Sequence, residues 1–446
     1  MSVPSSSNSL EEPLFLTNTA RMRRWLPWIR ILDGFRIAIQ FRCLLLGFVA
    51  VLAWAGGMRF LSDWGELDDP FLSRAPHVAW PWEETALPPV PAIAERVEFQ
   101  SALTTPGRFL VRMCQNGPAL LWPLQRIALT GIQLFDRSLS SGDWLRAAFQ
   151  FLWLVAVAGL FGGAICRIAA LDFAGSEVGS MRSALGFSIR HWFAYLGAPI
   201  AALLGLLALW VTLFFAGLVG WIPVVGELML GFTWILVWLA GLAMAILLSG
   251  LTAGFPLMIA AISSESSDSF DGLSRAYSYL FHRPWYALFL SCLSILYGSA
   301  LLYFFMGMLT LAVDLGTAAV SVGYGNQTGT RAYLDAPVRQ PFLDWQVTAE
   351  ELGDPRDFSP WGRWAIGVWS RVLLTLPAAF VFSFFWTAVT ISYFLLRLRE
   401  DATPLDEVGG KKESRSRSPL VGMAAAMARE KAAATRPNGE TTAPLE

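Results

Sequence analysis

The sequence predicts an all-α fold: a polytopic membrane helix bundle of about six transmembrane helices, with interfacial amphipathic helices and a large extracytoplasmic loop region. Three observations predict it. Of 446 residues, 55% are hydrophobic and only 15% charged, against about a quarter charged in soluble domains. The apolar residues fall in continuous runs of about 20, the length that crosses a bilayer, without the period-two alternation of a membrane barrel. The 20 Trp supply side chains that favour the membrane–water boundary.

The first span covers 37–58, with Arg42 near one edge and Arg59 just past the other. The second covers 147–168, with Arg167 at its end. Between Trp192 and Ser264 the only charged residue is Glu227, so this stretch is too long for one crossing and right for two. The turn residues Gly220, Trp221, Ile222 and Pro223 divide it into 192–219 and 228–251. The fifth span, 286–313, closes at Asp314, and the sixth, 372–396, lies between Arg371 and Arg397. Backbone polar groups in lipid must be bonded within their own segment, so uninterrupted apolar runs of this length are helices. Pro199, Pro256 and Pro377 are expected to kink them.

Arginine placement sets the orientation. The N-terminal tail, 1–36, holds Arg21, Arg23, Arg24, Arg30 and Arg36, and the tail after span six opens with Arg397 and Arg399. The short loops after spans two and four carry Arg182, Arg190, Arg275 and Arg283, whereas the one after span three has neither Lys nor Arg. Both termini are therefore expected in the cytoplasm, with the chain multi-pass in a cell (inner) membrane. The first apolar run lies too far into the chain for a cleaved secretory signal, so it is expected to stay as an anchor.

Two long outer loops complete the transmembrane region of 37–400. The first, 59–145, opens acidic and turns proline-rich. Its Pro118–Phe135 segment is apolar but interrupted by Pro123, Gln125 and Arg126. It reads as helices on the outer membrane face or docked on the bundle, with a re-entrant element as the alternative. The second, 314–371, reads as irregular. The tail 401–446 is polar and poor in aromatic residues, and is expected to be disordered and cytoplasmic.

A pattern occurs twice on the inner side. In Ser269–His282, Phe270, Leu273, Tyr277, Leu280 and Phe281 recur at helical spacing, with Asp271, Ser274, Arg275, Ser278 and His282 opposite. In Ser180–His191, Met181, Leu185 and Ile189 share a face, with Arg182 and Arg190 off it. An aromatic step follows each, Trp192-Phe193 in one and Pro284-Trp285-Tyr286 in the other. This is an interfacial amphipathic helix leading into a span, used twice, so spans two–three and four–five read as a parallel repeat.

The second copy carries a resemblance. Phe255–Glu265, Ser269–Tyr277 and His282–Trp285 resemble a pattern of bacterial multi-pass proteins of uncharacterised role. They also resemble the membrane domain that accompanies some glycerophosphodiester phosphodiesterases. Arg275, Ala276 and Tyr277 match the helix of that pattern, and Arg283 and Trp285 match its basic–aromatic step. The stretch Tyr393–Glu407 is similar to the close of such proteins. The resemblance implies a membrane fold and no activity, because the soluble phosphodiesterase domain has no counterpart in this chain.

The residues offer little chemistry. His77, His191 and His282 lie in separate loops without metal-ligand spacing. Cys43, Cys114, Cys166 and Cys292 form no Cys-x-x-Cys pair. No nucleophile elbow or phosphate-binding loop occurs, and the acidic pairs Asp68-Asp69 and Glu83-Glu84 read as solvated loop charge. No catalytic, metal or cofactor site is assigned. The span centres lack the ionisable groups that coupled carriers need. A net charge of −1 gives no field for nucleic acid. Gly159, Gly162 and Gly163 have small-residue spacing, which serves either oligomerisation or packing within the bundle.

The functional expectation is therefore a non-enzymatic membrane scaffold or assembly subunit, with a transporter or lipid-handling permease as the alternative. The expected partners are the lipid bilayer and a membrane or soluble protein, with the oligomeric state left open. Arg190, Arg275, Arg283 and Trp285 are the candidate lipid-headgroup contacts.

Overall fold

The computed structural model describes residues 26–63, 111, 117–135, 139–175, 179–323 and 360–403, together with 405 and 408. Most of both long loops, the first 25 residues and the tail beyond 408 lie outside the described residues, and with them the expectations of irregular and disordered structure there.

Every regular element among the described residues is helical. A 3-10 turn, Pro27–Leu32, leads into α1 (Asp33–Ala38) and, past a bend at Ile39-Gln40, into α2 (Phe41–Asp63). Two short pieces follow, α3 (Gly117–Leu120) and α4 (Trp122–Gln133). Span two is α5 (Ser141–Val157), a π-helical turn over Ala158–Gly162, and α6 (Gly163–Phe173). Then come α7 (Met181–Arg190), α8 (Trp192–Val219), α9 (Val225–Glu265), α10 (Ser269–His282), α11 (Pro284–Gly323) and α12 (Pro360–Glu400).

Six helices are long and apolar enough to cross a membrane: α2, the α5–α6 rod, α8, α9, α11 and α12. The protein is thus an all-α, multi-pass membrane bundle. All of these except α8 extend past an end of the expected span. Helix α9 continues fourteen residues past Leu251 to Glu265, because Thr252–Ser264 is itself apolar and small. Pro199, Pro256 and Pro377 all lie inside helices. The turn between α8 and α9 falls where the glycine and proline place it, and at its tip Val224 takes φ 65°, a left-handed conformation that a β-branched residue rarely adopts.

Spans one, two and six form the centre. Trp386 of α12 is fully buried, and its ring lies where a Cβ on Gly162 would stand, 2.5 Å away. Tyr195 of α8 covers Gly159 and Gly163 in the same way, at 2.8 and 2.7 Å. These three glycines therefore serve packing inside the bundle. Nothing lies within 4 Å of a Cβ built on Gly205 or Gly241. The halves of α8 and α9 that meet at the Val224 turn are exposed on nearly all sides and pack on each other as a hairpin.

The Pro118–Phe135 segment does not rest on the outer surface. The Trp122 ring packs on Trp54 at 5.2 Å, midway along α2. A Cβ on Gly117 would stand 3.1 Å from Ile295, and one on Gly298 2.8 Å from Leu120, both in the first half of α11. Helix α4 then runs back to the end where Ser141 begins span two, and Trp144 donates its ring N–H to Leu134 O at 3.1 Å. The segment is thus docked on the bundle, one of the placements its sequence offers. The interruptions noted in the sequence fit this: Pro123 occupies a first-turn position, where a missing N–H costs nothing.

Candidate functional site

The element pair seen twice in the sequence is present twice. Ser180 and Asp268 cap α7 and α10 by accepting the N–H groups of Ser183 and Asp271. A single residue, His191 or Arg283, then separates each short helix from the span that follows. The fully buried positions on both helices are mostly small, and Met181, Leu185, Leu273, Tyr277 and Leu280 pack partly buried beside them. Gly272, Ala276 and Tyr279 of α10 face inward, as do Ala184 and Ser188 of α7, while Phe270, Phe281 and Ile189 point outward. In lipid this is the sensible arrangement. Small residues allow backbones to approach, and large apolar ones face the hydrocarbon.

Where α9, α10 and α12 meet, the charged end of the bundle is organised around Glu265, whose side chain is 9% exposed. Glu265 pairs with Arg275, accepts the Tyr393 hydroxyl at 2.5 Å, and lies 3.4 Å from Nε of Arg397. Arg275 also donates to Asp271 at 2.9 Å. Burial opposes the Arg275 charge, but the Asp271 and Glu265 carboxylates outweigh it and hold the pKa above the ordinary range. Tyr279 donates to Asp401; burial, and then that carboxylate, push its hydroxyl pKa up. From span two, Arg167 donates to Ser263 O at 3.1 Å and lies over the Phe187 ring of α7 at 4.5 Å. Near the N-terminus, Arg36 and Gln40 hold Asp172 at 3.0 and 2.6 Å. Three spans and both short helices are thereby clasped at one end.

Beside this clasp is a cavity of about 380 Å³, within the size range of small-molecule pockets. Its walls come from Pro256 and Leu257 of α9, Leu280 and Phe281 of α10, Pro284–Ile295 of α11, Phe384–Leu396 of α12, and Leu120, Leu121 and Leu124 where α3 meets α4. The α12 wall from Phe384 to Leu396 covers twelve residue steps, about 18 Å at the helical rise. The lining is apolar except for Ser291, Ser294 and Ser392. Ser291 bonds to Ala287 O, whereas the buried Ser294 hydroxyl has no partner. Phe281, Leu288 and Ser291 are exposed, so the cavity opens sideways, toward the lipid-facing surface.

The four candidate headgroup residues occupy different settings. Arg275 is committed to Glu265 and Asp271. Arg283 donates to Glu400 at 3.1 Å at the near end of the cavity, and Trp285 beside it is 82% exposed. Arg190 is exposed on α7, away from the cavity, and makes no ion pair among the described residues. The structure thus brings Arg283 and Trp285 together and separates Arg190 from them. Sequence reasoning missed the Glu265 centre as a unit. Its signal was a carboxylate at the end of an apolar run with Arg275 ten residues on, but Tyr393 and Arg397 are remote in sequence. Among the described residues no three His, Cys, Asp or Glu side chains converge as a metal site would require. Compared with protein-family models, with curated proteins and with solved structures, the chain finds no match in any of the three.

Proposed function

We propose that this protein handles lipid, taking a hydrocarbon chain from the surrounding leaflet into the cavity between spans four, five and six. The observation that carries this reading is the cavity itself: long, apolar, at span depth and open sideways. Transport coupled to an ion gradient has no such support, since the lining offers three serines and no ionisable group. Spans two and three contribute nothing to the lining, so the twofold use of one hairpin does not build a path between the copies. In this reading the charged end is cytoplasmic, by the arginine rule, and the membrane is the inner membrane of a bacterial cell.

The test places the full chain in lipid nanodiscs with a phospholipid bearing a photoreactive group at its chain end. We expect crosslinks concentrated on the segments 284–295 and 384–396. Ala388→Phe, which fills the cavity from within, and Ser291→Phe, which blocks its exposed rim, should each remove them. Labelling spread evenly over all lipid-facing helices, and unchanged in both variants, would sink the reading.

A second reading, an assembly subunit, is favoured by a different observation. The α8–α9 hairpin presents apolar faces and unfilled glycines to the bilayer, as interhelical contacts with another membrane protein require. Polymer extraction from the native membrane separates the two. A stoichiometric protein that copurifies supports assembly, and its absence with retained lipid supports the cavity.

A further inference from the structure

We infer that the bound lipid carries an anionic headgroup, which takes the place of Glu400 between His282 and Arg283 at the mouth of the cavity. This inference rests on the lipid-handling reading. Leu280, Phe281 and Pro284 line the cavity, so His282 and Arg283 stand at its rim. On the facing helix Leu396 lines the cavity, and Glu400 lies one turn further on. Its two oxygens are divided between the partners: Oε1 lies 2.9 Å from His282 Nδ1, and Oε2 accepts from Arg283 Nε at 3.1 Å. The chain therefore already displays a two-donor anion site filled by its own carboxylate. A phosphate offers the same pair of acceptor oxygens.

Position and strength make the site exchangeable. The His282 and Arg283 side chains are 64% and 49% exposed, and an exposed ion pair contributes little, so a competing anion displaces it at small cost. Trp285, adjoining, is the type of residue that settles at headgroup level. A chain lying in the cavity with its polar end at Arg283 thus puts hydrocarbon against Pro284–Ile295 and the headgroup at the interface. The other nearby charges have work of their own. Arg275 is held by Glu265 and Asp271, Asp401 accepts from Tyr279, and Arg399 lies over the Tyr286 ring at 4.5 Å.

The experiment compares photoreactive phosphatidylglycerol with photoreactive phosphatidylcholine of identical chains, each in nanodiscs holding the full-length protein. We expect the anionic lipid to label the cavity segments more strongly. Arg283→Gln should cut that labelling about tenfold, the loss of one charge-assisted contact, and leave phosphatidylcholine unaffected. Arg283→Lys should restore part of it, which separates loss of charge from loss of fold. Glu400→Gln, which weakens the internal competitor, should raise it. Equal labelling by both lipids in every variant overturns this inference and leaves the lipid-handling reading standing. Labelling of the cavity by neither lipid overturns both. Loss of phosphatidylglycerol labelling on adding excess inorganic phosphate would assign the site to free phosphate and overturn the headgroup.

Discussion

Spans two and six differ from spans three and four in almost everything except hydrophobicity. In their most apolar windows, 72% and 78% of residues are buried inside the protein for the former pair and 11% for each of the latter. Mean hydropathy does not separate them: 2.1 and 2.0 in the first pair, 2.4 and 2.2 in the second. In water, burial follows hydrophobicity; in a bilayer the lipid tails are as apolar as leucine, and burial follows shape. The buried pair has glycines filled by Tyr195 and Trp386, together with the π-helical turn beside them. The exposed pair has Trp210, Phe232 and Trp238 exposed, and nothing within 4 Å of a Cβ built on Gly205, Gly217, Gly231 or Gly241.

Four substitutions probe this contrast. The largest effect is expected at Glu265, where Glu265→Ala removes the buried carboxylate shared by Arg275, Tyr393 and Arg397. Breaking such a pair costs ~3 kcal/mol or more, and thermal unfolding in nanodiscs should register it as the steepest loss of the set. An unchanged midpoint would mean the clasp contributes nothing to the fold. Next comes Gly162→Leu, which drives a side chain into the Trp386 ring. Overpacking of this kind costs roughly 1–3 kcal/mol, read in the same melts. A smaller loss, ~1 kcal/mol, is expected for Tyr195→Phe, which removes the 2.8 Å bond to the Ser263 hydroxyl. Smallest of all is Gly241→Leu in the hairpin, expected within about 0.5 kcal/mol of the parent. If Gly241→Leu proves as damaging as Gly162→Leu in native membranes but harmless in nanodiscs of the isolated protein, the hairpin is packed against another chain, and the contrast is completed by a partner.

The same contrast explains what could be read from the sequence. Continuous apolar runs locate all six spans, and Gly220 to Pro223 locates the hairpin turn, because length and turn chemistry are local properties. The fate of a glycine is not. Gly163 and Gly241 look alike in the sequence, and only Tyr195 arriving from another helix distinguishes them. The inward positions of α10 show a related limit: Gly272 and Ala276 carry no hydrophobic signal, yet both are buried. The Pro118–Phe135 segment was open to more than one placement because Pro123 and Arg126 suggest a surface helix, while Trp122 finds its neighbour Trp54 within α2. The cavity was invisible, since its walls are drawn from six helices whose spacing along the chain says nothing of the gap between them.

The single-residue joints at His191 and Arg283 have a mechanical consequence. With only one residue between a short helix and the span that follows, two backbone dihedrals are all the freedom that lies between them. Each short helix is a crank fixed to the end of a shaft. Because α10 also holds Glu265, Glu400 and Asp401, a torque applied to it at the membrane surface is delivered along α11 and to the near ends of α9 and α12, the walls that set the cavity's width.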